Sequence, residues 1–92
     1  MLLLVHIDLA SADLVLFERY EAAVLALLPD HGATLERRMR AVDGSTETHL
    51  LRFPDRAAFD AFIADPRRVA MHRFWAASGA KAERWEVEDV QG

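Results

Sequence analysis

The stretch "ADPRRVAMHRFW", residues 64 to 75, sets arginine, histidine and tryptophan side chains close together. Read as a helix turning about 100° per residue, it brings Arg68, His72 and Trp75 within roughly 60° of one another on one flank. Met71 and Phe74 then point to the core, with the stem of Arg67 between them. Three such groups can act as one. Arginine can contact an anion or a carbonyl, neutral histidine can serve as a base, and tryptophan offers a wall for a flat organic ligand. The alternative is a boundary tryptophan packed on the body of the protein, with Arg68 and His72 reaching into water.

Four other positions carry chemistry. Tyr20 falls on the apolar face of the first amphipathic segment, where a buried hydroxyl needs a partner; that partner is either a substrate oxygen or a core group. His49 has the pKa range best suited to proton abstraction, and its alternative is a satisfied core histidine. Arg37 has the parity of a core-facing strand residue, and a guanidinium turned inward must be paired or hold an anion. Trp85, on the last strand, would floor a pocket or fill the core. His6 and Asp8 share a strand face, but no nucleophile is placed beside them, so an interfacial role is expected. Histidines at 6, 31, 49 and 72 lack the spacing of a helical metal site, and none is expected.

The elements that must hold these groups follow from hydrophobic pattern. Residues 2 to 9, "LLLVHIDL", are apolar at both parities, as in a strand buried on both faces. Ser11 is the expected N-cap of a helix carrying Leu16, Phe17, Tyr20, Ala23, Val24, Leu27 and Leu28 on one face, with Glu18, Arg19 and Glu21 off it. Pro29 and Gly32 end it. "ATLERRMRAV" and "TETHLLRF" read as strands around "DGS". A three-residue loop puts Leu35, Arg37 and Met39 on the face of His49, Leu51 and Phe53; a two-residue loop puts them with Thr48, Leu50 and Arg52. The first is preferred because it gathers the apolar residues and sets Glu36 across from Arg52.

Asp55 caps a short helix with Phe59, Phe62 and Ile63 on one face. Asp65 caps the next, with Pro66 at its first position and Gly79 at its end. "KAERWEVEDV" is the last strand, alternating Trp85 and Val87 with Arg84, Glu86 and Glu88. The result is an α+β, ferredoxin-like βαββαβ fold: a four-stranded antiparallel sheet with helices on one face and the first and third strands central. Its other face would show Leu2, Leu4 and Leu50 beside His6, Arg38 and Arg84, an arrangement suited to cover by a second subunit.

The totals bound what such a domain can do. Ninety-two residues make one domain, 1–92, and the apolar fraction of 52% is high for that length. A net charge of −4 argues against nucleic acid as a partner. Without cysteine there is no disulfide and no thiolate chemistry. No apolar run approaches the roughly 18–20 residues of a membrane span, and the N-terminus has no signal-peptide pattern. A soluble cytoplasmic protein is expected.

The element order, "FERYEAAVLALLPDHGATLERR" and "HLLRFPDRAAFDAFIADPRR" resemble the dimeric α+β barrel superfamily across residues 2 to 90. In that superfamily two ferredoxin-like subunits pack sheet against sheet. The resemblance implies a homodimer with a small helix–sheet pocket in each subunit. Relatives of this kind include cofactor-free antibiotic-biosynthesis-type monooxygenases, haem-degrading oxygenases, muconolactone isomerase-like enzymes and YCII-related proteins. Oxygenase pockets there combine tryptophan with asparagine; Trp75 could take the tryptophan role, but this sequence has no asparagine. Asp65-Pro66 matches the Asp-Pro of the YCII-related group, whereas the first helix offers Tyr20 and Glu21 where that group has histidine. The implied pocket is lined by Tyr20, Arg37, His49, Arg68, His72, Trp75 and Trp85. In it His49 or His72, with Tyr20, would move a proton without a cofactor, and Arg37 would stabilise the resulting anion. The competing reading is a non-catalytic binding or assembly module whose pocket is filled by side chains.

Overall fold

The computed structural model describes residues Met1 to Gly92. Strand β1 (Leu2–Asp8) leads to helix α1 (Leu14–Leu25) and a 3₁₀ turn (Leu28–His31). Strands β2 (Thr34–Arg40) and β3 (Thr46–Arg52) follow, then helices α2 (Arg56–Ala64) and α3 (Pro66–Ser78) and strand β4 (Lys81–Val87). The four strands form one antiparallel sheet in the order β2-β3-β1-β4, so β1 and β3 are central. This is the expected βαββαβ architecture, with α2 and α3 as the two halves of the second helical segment.

Local chemistry sets the boundaries. The N-cap of α1 is Asp13, two residues beyond the expected Ser11; its carboxylate accepts from the backbone N–H groups of Val15 and Leu16 at 3.0 and 3.2 Å. The shift follows from the chain entering α1 through a backbone bond, Asp13 N–H to the Ser78 carbonyl at 2.7 Å, which leaves Asp13 extended at the helix mouth. At the other end α1 stops at Leu25, because Pro29 has no N–H to continue the ladder, and the chain tightens into the 3₁₀ turn. Asp55 and Asp65 cap α2 and α3 as their sequence contexts require, accepting from Ala58 N–H at 2.8 Å and Arg67 N–H at 2.9 Å.

Asp65 also binds His31 Nε2 at 2.8 Å and the Arg67 guanidinium at 2.8 Å, while Arg67 reaches Asp30 at 2.9 Å. Asp65 therefore has a histidine partner, supplied by the 3₁₀ turn where the first helix has none. Its hydrogen bonds from Arg67, then His31, hold its carboxyl well below the usual carboxylate range. The group ties the turn to the start of α3 and lies outside the cleft described below.

One irregularity decides which strand residues face the helices. Leu35 pairs with Leu51, but Arg37 pairs with Leu50, so Glu36 is the extra residue of a β-bulge. The expected three-residue loop does not form; the chain turns through residues 41–45, closed by Ala41 N–H to the Thr46 carbonyl at 2.9 Å. Leu35 keeps its expected place beside Leu51. Past the bulge the parity reverses. Arg38 and Arg40 turn under the helices beside His49 and Glu47, and Arg37 and Met39 turn to the opposite face, with Leu50 and Thr48. Glu36 still pairs with Arg52.

Strand β4 also has the opposite parity to that expected. Ala80 is buried where the chain leaves α3, so Ala82, Arg84 and Glu86 follow it to the helix side, across from Ile7, Val5 and Leu3. Trp85 therefore pairs with Leu4 on the outer face, 46% exposed. Arg38 and Arg84 leave that face, while His6 and Asp8 stay on it.

The main core lies between β1, β3 and α2, around Leu3, Leu51, Phe53, Phe59 and Phe62. A smaller one gathers Ile7, Leu9, Phe17 and Ala80 where α1 meets α3, with Trp75 packed on it. On α3, Met71 reaches the main core as expected. Phe74 does not; the guanidiniums of Arg19 and Arg73 lie over its ring, 4.4 and 4.7 Å from the centroid. Arg67 is exposed and turned to its carboxylate partners.

Gly32 supplies a checkable test of the turn that ends the first helical segment. Its φ is +66°, and a Cβ there would lie 3.0 Å from Pro54 Cγ. Gly32→Ala is expected to lower stability by about 1–2 kcal/mol in urea unfolding, from left-handed strain and the crowded proline.

Candidate active site

The helices do not close completely over the sheet. Between them opens a cleft of about 380 Å³, with twelve hydrophobic residues among the eighteen that line it. Strand residues Leu3, Val5, Ile7 and Leu51 form an apolar floor, and Ala82 and Arg84 of β4 form one edge. Tyr20 and Trp75 stand together from α1 and α3, ring centroids 5.3 Å apart. His49, Arg68 and His72 also line the cleft, so five of the seven sequence-derived candidates converge on it. Arg37 and Trp85 do not, because the bulge and the β4 parity put both on the outer face. Arg68, His72 and Trp75 share one flank of α3, as the i, i+4, i+7 spacing requires.

At the inner end of the cleft His49 is joined by two buried carboxylates, Glu21 and Glu47. His49 Nε2 stands 2.6 Å from Glu47 Oε2 and 3.0 Å from Glu21 Oε1, and all three residues are buried, each at most 4% exposed. Glu21 reaches this position because Phe17, Glu21 and Val24 form the buried stripe of α1, at spacings of four and three. The apolar pattern of the sequence sets Glu21 off this face, and the structure turns it inward instead. Two guanidiniums answer the charge. Arg38 donates to Glu21 Oε2 at 2.9 Å and to Glu47 Oε2 at 3.2 Å. Arg40 donates to Glu47 Oε1 at 2.9 Å and to Glu18 Oε1 at 3.2 Å.

The cluster separates its pKa values. Burial raises the Glu21 carboxyl above the usual range; the His49 hydrogen bond opposes the rise, and Glu47 adds to it. Burial acts on Glu47 in the same direction, but hydrogen bonds from Glu21, His49, Arg40 and Arg38 overcome it and hold the group down at about 2. For His49, burial pulls downward, and contacts with Glu21 and then Glu47 outweigh it, raising the imidazole above its ordinary value. The shifts run in opposite senses: Glu47 is the more acidic carboxyl, while Glu21 and His49 hold a proton more tightly than free groups do. Burial raises the Tyr20 phenol as well, with the charge of Arg68 opposing it.

One ligand atom from each of Glu21, Glu47 and His49 lies within 4.8 Å of the others. Nothing in the helical His and Glu spacings signals this convergence, since it joins a helix to a strand. The positive charge facing these carboxylates is supplied by Arg38 and Arg40. What the arrangement offers is a proton donor and acceptor whose members differ in basicity, opening onto an apolar cleft. A signal for half of it was present in the sequence: Glu47 and His49 are two apart in a strand and must share a face.

The fold has solved counterparts. The cofactor-independent oxygenase SnoaB from Streptomyces nogalater superposes with a TM-score of 0.73 at 16% identity, over 97% of this chain and 94% of that one. A dimeric ferredoxin-like protein of unknown function from Jannaschia sp. gives 0.68 at 20% identity, over 95% and 100%. The chain has the ferredoxin-like fold that these structures share. An uncharacterized NIPSNAP domain protein from Burkholderia xenovorans has it too, with a TM-score of 0.64 at 15% identity, over 100% of this chain and 99% of that one. No protein-family model matches the sequence, and no curated protein matches it. No helix is long and apolar enough to cross a membrane.

The cluster makes a stability prediction with a definite sign. Glu47 is held near 2 in the folded protein against 4.5 ordinarily, so its contribution is complete above about pH 4.5 and is lost as pH falls toward 2. Glu47→Gln should flatten the pH dependence of urea unfolding across that window. Glu47→Ala should cost about 3–5 kcal/mol at neutral pH, because it leaves Arg40 with only Glu18 and buried His49 with only Glu21.

Proposed function

We propose that the protein binds a small planar organic molecule in the helix–sheet cleft and moves a proton on it without a cofactor. The observation that carries this reading is the placement of Glu21, 3.0 Å from His49 and beside buried Glu47, at the inner end of an open apolar cleft. A carboxylate with a raised pKa is a stronger base than an exposed one, and it suits removal of a proton from an enolisable C–H or a phenol. His49 receives the charge change through its contact with Glu21, and Glu47 remains ionised to balance it. Tyr20 donates its O–H to the oxygen on which the negative charge of the enolate or phenolate develops. His72, exposed on α3 and lining the cleft, is a second proton carrier.

Two outcomes are open to such an anion. Return of the proton to a different carbon gives an isomer, with no change in composition. Attack on dissolved dioxygen forms a C–O bond; protonation of the peroxide and loss of water then leave a carbonyl. The oxygenase course is supported by SnoaB, a cofactor-independent oxygenase of the same fold. The alternative of a binding module with a filled core is disfavoured by the cleft volume of about 380 Å³.

We also infer a homodimer. The outer face carries Leu2, Leu4, Leu50 and Val87, each half-buried, around Trp85 and Met39, exposed by 46% and 43%. Such a patch on a small domain is suited to cover by a second sheet. His6, Asp8, Arg37 and Arg52 lie around it and would fix the register of the two copies more than the strength of the contact.

Solvent exchange tests the chemistry. The C1 protons of 2-tetralone, a flat enolisable ketone, should exchange with deuterium oxide faster with the protein than in buffer. Glu21→Gln should reduce the protein-dependent rate by about 100-fold or more. A rate equal to buffer, or one untouched by Glu21→Gln, would overturn the reading. For the assembly, native mass spectrometry should give twice the chain mass, and Leu4→Arg should give a folded monomer. A monomeric wild type would contradict the dimer.

A further inference from the structure

Five of the ten arginines are paired with carboxylates: Arg38, Arg40, Arg52, Arg56 and Arg67. The two that line the cleft, Arg68 and Arg84, have no carboxylate partner. Each is instead held against an aromatic ring of α2, Arg68 at 5.4 Å from the Phe62 centroid and Arg84 at 5.3 Å from that of Phe59. Phe59 and Phe62 are three apart on one helix face, so the two guanidiniums are mounted on neighbouring parts of the same support. A guanidinium held over an aromatic ring can still donate its N–H groups to an acceptor beside the ring. Arg68 is the sharper case. Its Nε is the one buried side-chain nitrogen or oxygen in the protein without a hydrogen-bond partner, and its only contact through Nη1 is a long one, 3.5 Å, to the Ile63 carbonyl. A buried donor left unmatched costs free energy that a bound acceptor would recover.

The surroundings do not supply that acceptor. Glu83 borders the cleft, but by strand alternation its side chain belongs with Trp85 on the outer face, while Arg84 faces the helices. Glu21 and Glu47 are engaged with His49, Arg38 and Arg40 at the inner end. Arg68 and Arg84 line the cleft together with Tyr20 and Trp75, so both charges border the same aromatic wall.

We propose that the cleft takes an aromatic ligand bearing an oxyanion, a carboxylate or a phosphate ester, received by Arg68 and Arg84 while its ring lies against Tyr20 and Trp75. This deepens the reading of the cleft as a ligand site and rests on it. Paired guanidinium forks suit planar or tetrahedral oxyanions, and the apolar floor suits the ring. The anion would orient the ligand, presenting its opposite end to Glu21 and His49.

Three probes with one ring system separate the cases by isothermal titration calorimetry: 2-naphthoate, 2-naphthyl phosphate and uncharged 2-naphthamide. At least one anion should bind tenfold or more tightly than the amide, and the stronger of the two names the oxyanion. Arg68→Met and Arg84→Met, which retain an apolar stem against Phe62 and Phe59, should each cut that advantage below threefold and leave amide binding within twofold. The proposal is overturned if the amide binds as well as both anions, or if the advantage survives in both variants. Failure of all three probes to bind would overturn the ligand-site reading itself, and this inference with it.

Discussion

Three titratable side chains buried together are the constraint on which this structure turns. Each of Glu21, Glu47 and His49 would be costly to bury alone, by several kcal/mol for an ionised group. The protein meets that cost by directing two guanidiniums at the cluster from one strand. Arg38 and Arg40 can do so only because Glu36 is extruded as a bulge, which turns the second half of β2 over. Leu35, before the bulge, still serves the apolar core. One extra residue in an edge strand thus lets a single strand satisfy an oily neighbour at one end and a charged one at the other.

The same geometry explains why a domain this small keeps an open cleft. Helices α1 and α3 pack closely on each other, with Phe17 and Trp75 6.2 Å apart by ring centroid. The helix-facing residues of β4 that border the cleft are a small alanine, Ala82, and the long stem of Arg84, which leaves space along that edge. Tyr20 and Trp75 wall the opening, and the charged cluster closes its inner end. An apolar chamber with a buried charged cluster at its inner end and unpaired guanidiniums at its edge is suited to binding and polarising a flat molecule.

Hydrophobic period and capping chemistry made the architecture legible: Asp55, Asp65-Pro66 and Gly79 mark their helices, and the two-sided apolar β1 marks the central strand. The flank of α3 with Arg68, His72 and Trp75 was equally readable, because helical spacing fixes which side chains are neighbours. What escaped was whatever depended on strand parity. A bulge leaves no sign in "ATLERRMRAV", so Arg37 and Arg38 exchange faces, and Trp85 exchanges with Arg84 because buried Ala80 sets the register. Glu21 escaped for a different reason. A charged residue beside an apolar stripe reads as solvated unless its partners are known, and those partners, His49, Glu47 and Arg38, come from a hairpin more than fifteen residues away.

The central claim, that the buried cluster is a divided acid–base device facing the cleft, is tested most directly by NMR titration of side-chain carboxyl carbons and imidazole resonances. Glu21 should titrate above its ordinary 4.5, His49 above its ordinary 6.5, and Glu47 near 2. Two glutamates titrating together near 4.5, with His49 at or below 6.5, would mean that the cluster is solvated and equivalent, and would contradict the account.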